Sequence, residues 1–158
     1  MVRLRRAVWL LPAAAAAALD LWSKGIWSYL PQYDATKKTV IDGFLYITAV
    51  WNTGGVWSTK FPPWLLLAGT ALAVPAIALW IFWPARASAW DSLAKALVLG
   101  GAVGNLVDRV IWGKVRDWID VELFGWHYPT FNVADAALVV GIGILLVGSF
   151  RHKPAEQA

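Results

Sequence analysis

Four stretches of this chain are apolar for long enough to cross a lipid bilayer. They run from about Ala7 to Lys24, Trp64 to Trp83, Leu93 to Trp112 and Phe131 to Phe150. A bilayer core of about 30 Å takes about 20 helical residues, and each stretch is near that length. Pro75 falls inside the second stretch, removes one helix hydrogen bond and is expected to kink the helix. Between the first two stretches lies a segment of another kind, Gly25 to Pro63. Its centre, "KKTVIDGFLYITAVWNTGGVWS", breaks β-branched and aromatic runs with Asp-Gly and Gly-Gly. That reads as short strands and turns forming a small sheet over about 30–60. The segment Gly113 to Thr130 is expected to hold a short interfacial helix. The pattern predicts one domain over residues 1–158, an all-α membrane protein with two structured segments on one membrane face.

Composition supports that class. Hydrophobic residues make up 59% of the chain and charged residues 15%, where a soluble domain has about a quarter charged. There are 12 Trp against 6 Phe and 4 Tyr, and Trp favours the membrane–water interface. Cysteine is absent, which removes disulfides, Cys-ligated zinc and Cys nucleophiles. Only His127 and His152 are present, without an HExxH motif, so a zinc hydrolase is not supported. The net charge of +4 is spread along the chain or flanks apolar runs, so the reading is membrane-flanking charge with no nucleic-acid partner.

The flanking charges also give an orientation. Arg3, Arg5 and Arg6 precede the first span and place the N-terminus in the cytoplasm. Four spans return the C-terminus to that side, where Arg151 and Lys153 fit, as does Arg86 in the short link. Lys37, Lys38, Lys60, Lys114 and Arg116 fall outside, against the rule. The first span also has the layout of a cleavable signal peptide. Its apolar character continues past the alanines through Leu21 and Trp22, so it is expected to be retained.

Polar residues within the spans gather near one face. Asp20 and Lys24 lie four apart on one side of the first helix. Asn105, Asp108 and Arg109 sit near the outer end of the third. Asn132 and Asp135 open the fourth, with Asp135 expected beyond the first turn, roughly 6 Å deep. Charges in lipid are expensive and usually face a bundle interior or wet cavity. Plain structural roles exist for most of them: an Asp20–Lys24 pair, an Asp108–Arg109 pair, an Asn132 N-cap. Gly100, Gly101 and Gly104 suit close helix packing. Asp135, past the first turn, has no need to cap.

A Ser–Lys hydrolase built from Ser23, Ser58, Lys24 or Lys60 lacks a recognisable nucleophile context. Paired carboxylates remain. Two aspartates whose repulsion raises one pKa supply an acid and a base together. Asp108, Asp117, Asp120 and Asp135 are the candidates, and residue type alone leaves the pair open. Two other classes compete. One is a proton-coupled carrier or channel subunit, which the clustering at one face disfavours. The other is a non-catalytic scaffold for lipidated partners.

The motifs "LDLWSK", "WNTGGVWS", "GGAVGNLVDR", "VRDWID" and "FNVADAAL" occur in this order. Together they resemble the lipoprotein signal peptidase family, signal peptidase II, over Asp20 to about Leu138. The resemblance implies four transmembrane helices with a small extracytoplasmic β-cradle and a short extracytoplasmic helix. It implies an aspartic endopeptidase that cleaves the signal peptide of diacylglyceryl-modified bacterial prolipoproteins just before the lipidated cysteine. Asp117 and Asp135 match the catalytic pair. Asp20, Lys24, Asn52, Gly101, Asn105, Asp108, Arg109 and Asn132 match positions that support the site or contact substrate. No metal or cofactor is implied. Membrane lipids and globomycin-type inhibitors are implied as further partners of a monomer in the bacterial inner membrane, with both termini cytoplasmic and the site near the outer face. The chain departs from the family pattern at Gly55, Trp118 and Arg116, where Ala or Val, Phe and an apolar residue are more usual.

Overall fold

The computed structural model describes residues 7–25, 37–54, 61–82 and 88–151. Among them are four helices and a four-stranded antiparallel sheet. In chain order these are α1 (Leu10–Ser23), β1 (Lys38–Ile41), β2 (Leu45–Asn52), α2 (Pro63–Phe82), α3 (Ala89–Trp112), β3 (Val115–Leu123), β4 (Trp126–His127) and α4 (Val133–Arg151). Helices thus occupy all four expected places, and α2 continues through Pro75.

The centre of the bundle is α3, against which α1, α2 and α4 all pack. Small residues permit the contact. A Cβ added at Gly100 would lie 2.5 Å from the Ala13 carbonyl of α1, and one at Gly141 would lie 2.7 Å from the Ala94 carbonyl of α3. One at Gly101 would overlap the Ala134 carbonyl of α4. Helices in lipid associate through such close approach, since lipid tails are already as apolar as Leu. A capping box opens α3: Asp91 N–H donates to Ser88 Oγ, and Ser88 N–H donates to the Asp91 carboxylate. Gly113 closes it with φ 69°, donating its N–H to the Arg109 carbonyl. Left-handed backbone suits glycine there and turns the chain straight into β3.

The outer surfaces of α2 and α4 are apolar. Their most apolar windows have mean hydropathy 2.2, yet only 6% and 11% of those windows are buried. A core helix of a water-soluble protein hides such a surface, so these faces suit lipid. Among the described residues, α2 and α4 are long and apolar enough to cross a membrane. Helix α1 has 14 residues, and α3 carries Asp91, Lys95, Asp108 and Arg109.

The segment between the third and fourth helices differs from the expected interfacial helix: residues 115–127 form β3 and β4. The stretch "VRDWIDVEL" is rich in β-branched and aromatic residues, and it pairs along its length with β2. The sheet therefore draws half its strands from beyond the predicted 30–60 region. No short helix stands in the described part of either outer segment, and residues 26–36 and 55–60 lie outside the described residues.

One irregularity positions the site. Ile47 pairs with Ile119 and Val50 with Asp117, so β2 carries one residue more than β3 between those pairs. A bulge of this kind reverses which side chains share a face beyond it. As a result Asn52, paired with Val115, lies on the same face as Asp117. Phe131 then bridges to Ile119, with N–H···O contacts of 2.9 and 3.0 Å in the two directions, and delivers Asn132 beside β3.

Candidate active site

The polar residues near one end of the helices form one connected cluster. Asp20, Lys24, Asp108 and Asn132 are each 0% exposed, Asp117 is 1% exposed, and Asn105 is also buried. Burial on this scale requires that every group be paired. The ionic part lies between α1 and α3. Lys24 Nζ sits 2.7 Å from Asp20 and 3.2 Å from Asp108, and donates to Asn105 Oδ1 at 3.2 Å. Asp20 Oδ1 accepts the Ala134 N–H of the first turn of α4 at 2.9 Å, where the helix dipole favours an anion.

The Asp108–Arg109 pair expected from sequence does not form. Asp108 pairs with Lys24 and with Arg116, whose Nη2 lies 2.6 Å from Oδ1. Adjacent helical residues point about 100° apart. Asp108 therefore faces α1 and β3, while Arg109 lines a groove with Asp135.

The amide part holds the two candidate carboxylates. Asn52 Nδ2 donates to Asp117 Oδ2 at 2.9 Å, and Asn132 Nδ2 donates to Asp117 Oδ1 at 2.6 Å. Asn132 Nδ2 also donates to Asn105 Oδ1 at 3.1 Å, and Asn105 Nδ2 donates to Asp135 Oδ1 at 2.8 Å. The inference that Asp135 lies beyond any capping position needs correction. The helix begins at Val133, so Asp135 is in its first turn. Asp135 N–H donates to Asn132 Oδ1 at 2.9 Å, and Asn132 N–H donates to Asp135 Oδ2 at 3.3 Å. Asp135 thus caps the helix with one oxygen and meets Asn105 with the other.

Burial raises the Asp117 pKa, and the neighbouring charge of Asp135 raises it further. The hydrogen bonds from Asn52 and Asn132 and the charge of Lys24 oppose this, and the result is a value of about 7 against an ordinary 3.8. Asp117 thus gains and loses its proton near neutral pH, the range that suits an acid–base group. Asp120, another sequence candidate, sits apart from the cluster. It pairs with Lys37 and, at 2.9 Å, with His127. Burial opposes its ionisation, but those two hydrogen bonds outweigh burial and its pKa is lowered.

Two cavities meet at the carboxylates. A groove of about 510 Å³ runs along α2, α3 and α4, with Ala73, Ile77, Leu138 and Ile142 at its apolar end and Asn105, Arg109 and Asp135 at its polar end. A cleft of about 470 Å³ opens beside Asp117, Trp51 and Phe61. Asn52, Pro129 and Thr130 line both.

The family model described as Signal peptidase (SPase) II matches residues 12–151. This chain belongs to the signal peptidase II family. A lipoprotein signal peptidase of Xanthomonas campestris pv. campestris (strain 8004) is 41% identical, with 96% of this chain and 93% of that protein covered. One from Halalkalibacterium halodurans is 32% identical over 92% of this chain and 94% of the relative. A solved structure described as a bacterial membrane enzyme, determined by the in meso method, has 27% identity and a TM-score of 0.84, covering 96% of this chain and 95% of its own. The chain is a membrane protein and a protease of the signal peptidase II family.

Of the residues singled out from sequence, Asp20, Lys24, Asn52, Asn105, Asp108, Asn132, Asp117 and Asp135 join one hydrogen-bonded cluster. Arg109 lines the groove beside it. Gly101 makes the close α3–α4 contact. Sequence reasoning missed the part played by Arg116, and it missed Pro129 and Thr130 as shared lining. The available signal was position: Arg116 directly precedes Asp117, and Pro129 and Thr130 lie just ahead of Asn132 and α4.

Proposed function

We propose that this peptidase cleaves the signal peptide of diacylglyceryl-modified prolipoproteins just before the lipidated cysteine, with Asp117 and Asp135 as its catalytic pair. The observation that carries the reading is the pair of amide-held carboxylates at the junction of an apolar groove and an outer cleft. The family and the lipoprotein signal peptidase relatives support the substrate class.

In this reading the apolar signal segment lies in the groove between α2 and α4, and the mature end leaves through the cleft. Water sits between the two aspartates. Asp135 takes a proton from the water as its oxygen attacks the scissile carbonyl carbon. Asp117 gives its proton toward the carbonyl oxygen. Collapse of the tetrahedral intermediate then breaks the C–N bond: the amine leaves with the proton held by Asp135, and a hydroxyl of the intermediate returns its proton to Asp117. Arg109 faces the developing negative charge from the groove side. All four helices span the bilayer as a single domain, both termini are cytoplasmic, and the site is near the outer face of the inner membrane. Globomycin-type peptides occupy the same junction.

The test is cleavage of purified diacylglyceryl-modified prolipoprotein by the purified protein in detergent, beside an unlipidated precursor. Lipid-dependent cleavage supports the reading. Equal turnover of the two precursors refutes the lipid requirement, and no cleavage of either refutes the function.

A further inference from the structure

Arg116 stands directly before Asp117 on β3, yet its side chain turns to α3. Its Nη2 lies 2.6 Å from Asp108 Oδ1, and its Nε lies 3.2 and 3.3 Å from the two Asp108 oxygens. The backbone N–H of Arg116 also donates to Asp108 Oδ2, at 3.0 Å. One carboxylate on the last turns of α3 thus holds both the main chain and the side chain of the residue that precedes Asp117. Asn132 Nδ2 approaches the Arg116 carbonyl at 3.5 Å on its way to Asp117.

The charges in this part balance. Asp20 and Asp108 are met by Lys24 and Arg116. Arg109 follows Asp108 in sequence but is left out of the balance. Among the described residues its guanidinium has no hydrogen-bond or ion-pair partner at bonding distance, and Asp135, Asp117 and Asp108, in that order, act on it through their fields. Its guanidinium is on the groove with Asp135.

We propose that Arg116 is a positioning residue for the catalytic pair. By saturating Asp108 it fixes the backbone that aims Asp117, and it leaves Arg109 facing the two aspartates. This rests on the assignment of Asp117 and Asp135 proposed above. The groups concerned come from every element around the site: Asp20 and Lys24 from α1, Asn52 from β2, Asp108 and Arg109 from α3, Arg116 itself on β3, and Asn132 and Asp135 at the start of α4.

The consequence of removing the Arg116 charge follows from distance and number. Asp108 would keep the backbone N–H of residue 116 and a single cation, Lys24, which it already shares with Asp20 and Asn105. Arg109, next to Asp108 in α3 and already within its field, would swing toward Asp108. The aspartate pair would lose a facing positive charge, so its protons would bind more tightly. Both limbs of the pH–rate profile would move to higher pH, by roughly half to one unit.

The experiment measures kcat, KM and the pH–rate profile of full-length Arg116→Gln and Arg116→Lys on diacylglyceryl-modified prolipoprotein, beside wild type and Asp117→Asn. Arg116→Gln is expected to fold, to lose about tenfold in kcat with little change in KM, and to shift its profile upward. Arg116→Lys should return the profile to its wild-type position because the charge is back. Its kcat should stay low, since one ammonium cannot replace a planar fork. A wild-type profile and rate for Arg116→Gln would overturn the inference. So would a loss that is parallel at all pH values and tracks folded yield. If Arg116→Gln does not fold, Arg116→Lys decides, and wild-type kcat in that variant overturns the claim. An active Asp117→Asn would instead sink the assignment of the pair, whereas a dead Asp117→Asn with unchanged Arg116→Gln sinks only the role of Arg116.

Discussion

Replacing Asp117 with Asn removes a proton while nearly preserving a shape. In the folded protein Asp117 titrates near 7, first because it is buried and then because Asp135 lies close, against an ordinary value of 3.8. Between those two values the folded protein keeps a proton that the unfolded chain has already released. Unfolding in that window releases the proton, so rising pH favours unfolding. The contribution is fully present below about 3.8, is lost as pH climbs to about 7, and is constant above. Three units at about 1.4 kcal/mol each make the whole effect on the order of 4 kcal/mol. An Asn side chain is neutral throughout and carries none of it.

The stability of Asp117→Asn relative to wild type should therefore rise by about 1 kcal/mol per pH unit from pH 5 to 7 and then level off. Thermal unfolding of the purified proteins in detergent, at four pH values from 5 to 8, reads this as a Tm gap that widens by a few degrees per unit. Cleavage of lipidated precursor by the same preparations should fall about 10²–10⁴-fold at every pH. A Tm gap equal at pH 5 and pH 8 would show that Asp117 does not hold the proton. Near-normal cleavage by Asp117→Asn, with a well-folded but inactive Asp108→Asn, would move the partnership with Asp135 to Asp108.

Asp135→Asn should lose as much cleavage as Asp117→Asn, and the double variant should be little worse than either, because the two act as a unit; additive losses in kcat would contradict that. Arg109→Ala should be made at normal yield yet turn over slowly, since Asp108 keeps Lys24 and Arg116 without it; poor yield with normal specific activity would contradict the geometry. Gly101→Ala would press a Cβ on the Ala134 carbonyl, costing about 1–3 kcal/mol and pushing away the helix that carries Asp135; Tm and cleavage should fall together. Asp120→Asn disturbs only Lys37 and His127, so cleavage should stay within about twofold of wild type, as for changes away from a site.

Much of this molecule was legible in its sequence because lipid imposes simple rules. Apolar runs near 20 residues marked the helices, and polar residues inside such runs marked the site, since lipid tolerates them only in company. The second outer segment was less legible. Nothing local in "VRDWIDVEL" says that it pairs with a strand more than 60 residues earlier, and strand pairing is a long-range property. The bulge between Ile47 and Val50 is equally silent, although it brings Asn52 to the face of Asp117. Helix spacing alone also misled at Asp108 and Arg109. Neighbours in sequence look like a pair, but the 100° turn between them gives each a different partner. Asp135 was placed too deep because the start of α4 was set at Phe131, two residues before Val133, where the helix begins.

The choice of asparagines around the two aspartates has a physical reason. A cation bonded directly to each carboxylate would hold both as anions, and the proposed pair would then lack the proton that its reaction needs. An amide fixes direction with a much weaker field. Here Asn52 and Asn132 aim Asp117, and Asn105 aims Asp135. Lys24 reaches Asp135 only through Asn105, whose Oδ1 it donates to while Nδ2 donates onward. The full cationic charge is spent one layer away, on Asp20 and Asp108. That layer also bonds the first turn of α4 through Ala134 and the first strand residues of β3 through Arg116. The two elements bearing the aspartates are thus tied by ions to a common base, while the aspartates themselves are held by amides. Replacing Asn105 by Asp would break this separation: it would put a third carboxylate against Asp135, attract Lys24 directly, and leave Asn132 as the sole amide link between the two aspartates.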